Sequence, residues 1–358
     1  MSEMTVGLVG CGVISNAHLS AWTKTPGFKV KGVLDTNRDQ ATARARQFGI
    51  SRVFEKLDDL IQECDVVDVC TPPSSHAKIA EQALKQRRHI VMEKPIVTDV
   101  ADWHRISKLV DNSSTRIAVI HNLKFAHSVR TAKRWVTEGR IGKLIRIQRE
   151  FLTDPSTDRM LVGDSHWSHK LPGGRWFETL PHELYLTHWF AGALDFSSVT
   201  TQCSDHAPPG APADEVVVTM KGSNCVSTFH FSANCKENRR TFMLQGTEGR
   251  IVVDLLSDFA AITSLKDSTW RRAVGRSIME AGQTLLRGAT DRGRYGVQRL
   301  KRESPHSRII QNLAKSLRGE GEEPTPLEEV DYVVVNSDRI GREIDRQVRE
   351  ARPERAVS

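Results

Sequence analysis

Cysteine is sparse. Six residues (Cys11, Cys64, Cys70, Cys203, Cys225, Cys235) are scattered over 358 positions, and no two form a C-x-x-C pair. That spacing argues against a zinc ribbon or a disulfide framework and leaves reduced, partly buried thiols as the expectation. Long apolar runs are missing too: none approaches the ~20 residues of a membrane helix, so no membrane partner is expected. The opening MSEMTVGLVG lacks the basic start, apolar stretch and small-residue cleavage site of a secretory leader, which reads as cytoplasmic. Internal repeats and low-complexity tracts are absent.

What is present is ordinary for a soluble globular protein, with 39% hydrophobic and 27% charged residues. The length suits two domains. A net charge of +7 raises the question of nucleic acid. Most of the excess sits in one segment, Lys266 to Arg302, which argues against a basic face spread over the whole protein. Within that segment Trp270, Val274, Ile278, Ala281 and Leu285 mark a basic amphipathic helix. It suits docking on the same chain or a second subunit, or a lid that accepts an anionic sugar.

The first third alternates short apolar strands with helical patterns, as in βαβ units around a parallel sheet. Strands are expected at Thr5–Val9, Val30–Leu34, Val66–Cys70, His89–Met92 and Arg116–Ile120. Helices are expected at Ile14–Thr23, Arg38–Phe48, about Lys78–Gln86 and after Thr98. Past residue 125 the rhythm changes. After a helix near Ser128–Thr137, strands are expected at Leu144–Leu152, Phe196–Gln202, Glu215–Met220, Cys225–Phe231, Thr241–Gly246 and Arg250–Asp254. Helical spacing returns from about Ser268 and again over Val330–Val348. The fold class is therefore α/β: an N-terminal Rossmann domain (1–124) followed by an α+β domain (125–358) with a largely antiparallel, open-faced sheet. A basic helical insert spans about 266–304.

Gly10-Cys-Gly12-Val13-Ile14-Ser15 follows the first strand and opens the first helix. Glycines there permit a tight turn and let backbone N–H groups approach a pyrophosphate. Ser15 replaces the usual third glycine, and a bare glycine pair is also ordinary turn chemistry. Asp35 ends the second strand, where a carboxylate accepts both ribose hydroxyls of NAD and repels the 2′-phosphate of NADP. It is otherwise a solvated strand end. Arg38, one helix turn away, would soften that preference.

The stretch Cys70-Thr71-Pro72-Pro73-Ser-Ser-His76, then Glu93-Lys94-Pro95, resembles the glucose–fructose oxidoreductase/inositol dehydrogenase (Gfo/Idh/MocA) family, which carries T-P-x-x-x-H and E-K-P there. Asn122-Leu-Lys124-Phe125 is similar to its N-x-R-[FY] segment, and Ile141-Gly142-Lys143 to the element entering its second domain. The resemblance implies that Gly10, Gly12, Val13, Ile14, Asp35, Arg38, Thr71, Pro72, His76, Glu93, Lys94 and Asn122 line NAD, with Lys94 between nicotinamide and substrate.

The family's second motif, G-G-x-x-x-D-x-G-x-H-x-x-D, is matched by Gly173 to Tyr185, with Glu178, Leu180 and Tyr185 as departures. It implies His182 as the proton-exchanging residue, oriented by Glu178 one helix turn away. Lys124, Trp167, Arg175 and Tyr185 are then expected at the substrate. His166, His169 and His182 invite a metal reading, but the resemblance implies none.

The function expected is NAD-dependent oxidation or reduction of a carbinol carbon on a sugar, cyclitol, or phosphorylated or nucleotide-linked sugar. A non-catalytic NAD-binding regulator of the same fold is the alternative. A homodimer or homotetramer through the open sheet face is expected.

Overall fold

The computed structural model describes residues 3–111, 114–162, 166–204, 207–208, 211–264 and 303–351. Five strands form a parallel sheet in the order β2-β1-β3-β4-β5: β1 Met4–Val9, β2 Phe28–Leu34, β3 Val66–Val69, β4 His89–Met92 and β5 Ile117–Val119. A lone parallel bridge between Val33 and Val53 extends the β2 edge by one residue. All four residues of β3 are buried, as expected of a strand covered on both faces. The covering helices are α1 Ser15–Trp22, α2 Arg38–Phe48, α3 Leu57–Glu63, α4 His76–Lys85 and α5 Val100–Asp111. Sequence punctuation sets their ends. The Asn37 side chain caps α2 by accepting from Gln40 N–H, and Gly49 at φ 66° closes it in the left-handed region.

The second domain begins with α6 His127–Thr137. Its sheet comprises β6 Leu144–Leu152, β7 Asp195–Gln202, β8 Glu215–Lys221, β9 Val226–Ser232, β10 Arg239–Gly246, β11 Gly249–Asp254 and β12 Phe259–Ser264. Their order is β12-β11-β10-β6-β9-β8-β7, antiparallel except for the parallel β6–β9 pair. One face packs on α7 Arg175–Ala191. There Trp176 stacks on Phe231 with ring centroids 5.5 Å apart, amid buried Phe151, Phe229, Phe242 and Leu244. The other face has no helix on it among the described residues and leaves Val217, Val226 and Val252 exposed.

The last two described helices, α8 Pro305–Leu317 and α9 Leu327–Ala351, tie the domains together. Ile309, Ile310, Leu313 and Ala314 of α8 join Val6, Ala21 and Trp22 in the Rossmann core. Along α9, Val330 and Val334 sit in the first domain's core, and Val333, Ile340, Ile344 and Val348 in the second's. Gly341 permits this close crossing, since a Cβ there would meet the Pro172 carbonyl oxygen at 2.8 Å. The chain thus returns to its first domain, a crossing that a single cut at 124/125 does not express. The sequence gives no strong signal for α3, β12 or α8. The helix expected from Ser268 and the basic segment lie outside the described residues.

Candidate active site

β1 delivers the chain to Gly10 at φ +95°, where a Cβ would lie 2.7 Å from the Cys70 carbonyl carbon. Only glycine lets β1 pass so close to the end of β3. Around Gly12 a Cβ would meet nothing within 4 Å, and Val13 next to it is 83% exposed. α1 then starts at the Ile14 cap with no side chain on its N-terminus, so its positive end is open to an anion. Asp35 follows β2 and is held by two backbone donors: Cys11 N–H to Oδ2 at 2.6 Å and Asn37 N–H to Oδ1 at 2.8 Å. A glycine cradle, an uncapped helix end and an oriented carboxylate fit NAD. Arg38 directs its guanidinium to Glu55 instead.

At the β3 and β4 ends Thr71 is half-buried and Pro72 exposed, but His76 is completely buried. Its Nε2 lies 2.7 Å from the Thr71 carbonyl, and its Nδ1 3.0 and 3.1 Å from those of Pro95 and Ile96. The structure places His76 between the two loops expected to line NAD, where its ring ties the Thr71 loop to the Lys94 loop. Glu93 is buried as well. It meets His18 Nε2 at 3.0 Å and accepts Lys94 N–H at 3.1 Å. His18 Nδ1 lies 2.9 Å from Asp68. Burial alone would lower His18, but the Asp68 charge overrides it and holds the imidazole well above its ordinary range. His18, Glu93 and His306 bring ligand atoms close together. With both His18 nitrogens on carboxylates, an imidazolium already supplies the positive charge there.

Lys94 crosses the interdomain cleft. Its ammonium donates to the Glu178 carboxylate and, at 3.3 Å, to the Glu178 carbonyl. Burial lowers Lys94 to about 8; Glu93 opposes that, while Arg175 and Arg240 add to it. Contact with the Glu178 carboxylate favours the ammonium. Glu178 is fixed in turn by Arg175 Nη1 at 2.8 Å. One helix turn further, His182 Nδ1 lies 2.7 Å from Tyr185 Oη, which accepts Leu123 N–H at 3.0 Å. The tyrosine hydroxyl also lies 3.4 Å from Asn122 Oδ1, so it holds the His182 ring through Nδ1 within a network that ends on the Rossmann half. Burial, then the Lys94 charge, holds His182 well below its ordinary range, so the ring is neutral.

Three residues expected at the substrate serve other groups. Lys124 is buried and spends its donors on Glu329 at 2.7 and 2.8 Å and on the Pro324 carbonyl at 3.2 Å. It locks α9 to the Rossmann domain. Tyr185 is fully buried, with its hydroxyl on His182, Leu123 N–H and Asn122. Arg175 is 3% exposed and committed to Asp158, Glu178 and Thr179. Trp167 does line an open cleft of about 760 Å³, facing Pro72 and Pro73 of the first domain and Arg342 of α9. Asn122 stands between the halves, 3.4 Å from Tyr185 Oη and 3.3 Å from His306 Nε2. His166, His169 and His182 do not gather: they bond Ser168, the Met160 carbonyl and Tyr185. The sequence reading missed His18, His306, Arg149 and Arg240, which lie in no local motif.

A Rossmann half, a sheet-based second half and a lysine between them define a two-domain dinucleotide-dependent oxidoreductase. The comparisons agree. Residues 4–121 match the oxidoreductase family with an NAD-binding Rossmann fold, GFO/IDH/MocA, and residues 129–252 match the C-terminal domain of that family. The chain belongs to the GFO/IDH/MocA family. It is 26% identical to levoglucosan dehydrogenase of Pseudarthrobacter phenanthrenivorans over 289 residues, 70% of this chain and 74% of that one. In fold it is similar to levoglucosan dehydrogenase complexed with NADH and L-sorbose, with a TM-score of 0.77, 19% identity and 97% and 98% of the two chains covered. It is also similar to the WlbA dehydrogenase of Bordetella pertussis complexed with NADH and UDP-GlcNAcA, with a TM-score of 0.74, 19% identity and coverage of 95% and 96%.

Proposed function

We propose that this protein moves a hydride between NAD and a secondary alcohol or ketone of a sugar, a cyclitol or an activated sugar. The observation that carries the reading is the meeting of Lys94 with Glu178 across the cleft, one helix turn from His182. Nicotinamide, when bound, supplies the hydride chemistry. The chain's own residues manage the hydroxyl proton. Lys94, with its ammonium lowered to about 8, takes that proton on oxidation and returns it on reduction. His182 presents Nε2 to the same oxygen, Tyr185 holds its ring through Nδ1, and Glu178 and Arg175 hold the lysine in place. Asp35 selects NAD over NADP. Relatives that act on levoglucosan and glucose 6-phosphate by name support a carbohydrate substrate. The test is NADH formation while neutral, phosphorylated and nucleotide-linked sugars and cyclitols are offered. Tight NADH binding with no turnover of any of them would favour a regulatory protein instead.

Two finer readings accompany this one. The uncovered sheet face, with Val217, Val226 and Val252 exposed, suits a second copy, giving a dimer or a dimer of dimers; a monomer in light scattering at micromolar concentration would refute it. Six free cysteines fit a reducing cytoplasm. No helix among the described residues is long and apolar enough to cross a membrane.

A further inference from the structure

We propose that Arg240 is an anion-recognition residue of the substrate half, so that the preferred substrate is a sugar bearing a carboxylate or a phosphate. This rests on the dehydrogenase reading above and narrows it.

Arg240 lies opposite Phe151 in the β10–β6 register. It shares strand parity with the buried Phe242 and Leu244, so it stands on the α7 side of the sheet. Its guanidinium carbon sits 4.5 Å above the Phe151 ring, and that of Arg175 lies 5.3 Å from the same ring. One aromatic platform thus collects two guanidinium groups at the end of α7 that carries Glu178.

The other cations of this region are matched. Lys94 touches Glu178, Arg175 touches Asp158 and Glu178, and Arg149 touches Glu183. Arg240 is different: it is exposed, and among the described residues its guanidinium makes no hydrogen bond or ion pair. Asp158 and Glu183 act on it only through space. Its charge nevertheless reaches the reacting groups, since it helps lower Lys94 and His182. An unpaired guanidinium acting through space on a nearby ammonium raises the energy of the empty site, and an arriving anion relieves that repulsion. Stacking on Phe151 restricts the plane of the fork, and a planar fork matches a carboxylate or phosphate through two parallel N–H donors. The carbon to be oxidised would meet Lys94 while the substrate's anionic group meets Arg240.

A role limited to covering Phe151 with the arginine stem makes a different prediction, and Arg240→Met separates the two by keeping the stem and deleting the charge. Steady-state kinetics would compare neutral hexoses, the matching hexuronates and hexose 6-phosphates. The wild-type protein is expected to favour one anionic series in kcat/KM by about tenfold to a hundredfold, the scale of a charge-assisted hydrogen bond. Arg240→Met should erase most of that advantage through KM, and Arg240→Lys should restore part of it. Which series benefits tells a sugar acid from a sugar phosphate. Equal use of neutral and anionic sugars, or an unchanged ratio in Arg240→Met, overturns the inference while leaving the dehydrogenase reading intact. If no sugar is turned over, that reading fails on its own. Calorimetric titration of glucuronate and of inorganic phosphate into the NADH-loaded protein then decides: weaker binding of either by Arg240→Met supports the anion site, and equal or no binding overturns it.

Discussion

The two ends of the cleft are built on different principles. At the end proposed for the phosphates, the groups on offer are mostly backbone: Gly10 and Gly12, an uncapped α1 and one carboxylate, Asp35, held by main-chain donors. At the reacting end it is almost wholly side chain. Lys94, Arg149 and Arg175 are neutralised in the interior by Asp158, Glu178 and Glu183, and Tyr185 positions His182. Backbone recognition tolerates sequence change around a few glycines, whereas a buried charge network fails when any member is lost.

The largest effects should follow from breaking the reacting end. Lys94→Ala and His182→Ala should each reduce turnover by about a hundredfold to ten-thousandfold, the scale of general acid–base groups. For His182→Ala, NADH affinity measured by cofactor fluorescence should change little. A double variant with near-normal turnover would remove both residues from the mechanism.

A charge deep in the frame tests the same contrast through stability. Lys124, Glu329 and His121 form a buried cluster in which Glu329 accepts from Lys124 at 2.7 Å and lies 2.6 Å from His121 Nδ1. Lys124→Met strips one partner from a carboxylate that is 4% exposed. Urea denaturation should show a loss of about 3 kcal/mol, the usual cost of leaving a buried charge uncompensated. A loss below about 1 kcal/mol would mean that α9 does not depend on this pair.

The phosphate end should respond more gently. Asp35→Ser removes the carboxylate but leaves the glycine turn, so NADP should gain on NAD by about tenfold or more in relative affinity. Tighter NADP than NAD binding by the unaltered protein would show that Asp35 does not read the ribose.

These contrasts explain what the sequence could disclose. The Rossmann half was legible because its signals are local: Gly10 and Gly12 after a strand, Asp35 at the next strand end, Thr71-Pro72 and Glu93-Lys94-Pro95 at later ones. Glu178 and His182 were legible as an i, i+4 pair. Partnerships between distant residues were hidden: Lys94 with Glu178 at a separation of 84, Lys124 with Glu329 at 205. The partners that hold Lys124, His76 and Tyr185, on α9, on backbone carbonyls and on His182, Leu123 and Asn122, were equally hidden. Arg240 lies in no motif at all, and only strand parity and the Phe151 ring mark it.

The smallest expected effect is the pH dependence, and its sign follows from Lys94. Burial brings the ammonium down to about 8 from its usual value above 10. Oxidation requires the neutral amine, because only that form accepts the hydroxyl proton. Below pH 8 the ammonium dominates, so log kcat/KM for oxidation should climb with a slope of about one and level off above roughly pH 8. Reduction consumes a proton and should run the opposite way, falling as pH passes that point. His182 is held neutral well below 6.5, so it should add no inflection near neutrality. Tyr185→Phe removes the hydroxyl that lies 2.7 Å from His182 Nδ1 and frees the ring. That variant should lower turnover modestly while leaving the inflection near pH 8 in place. An inflection that instead moves with Tyr185→Phe, or survives in Lys94→Met, would shift the titrating role from the lysine of the Rossmann half to the histidine of the second domain.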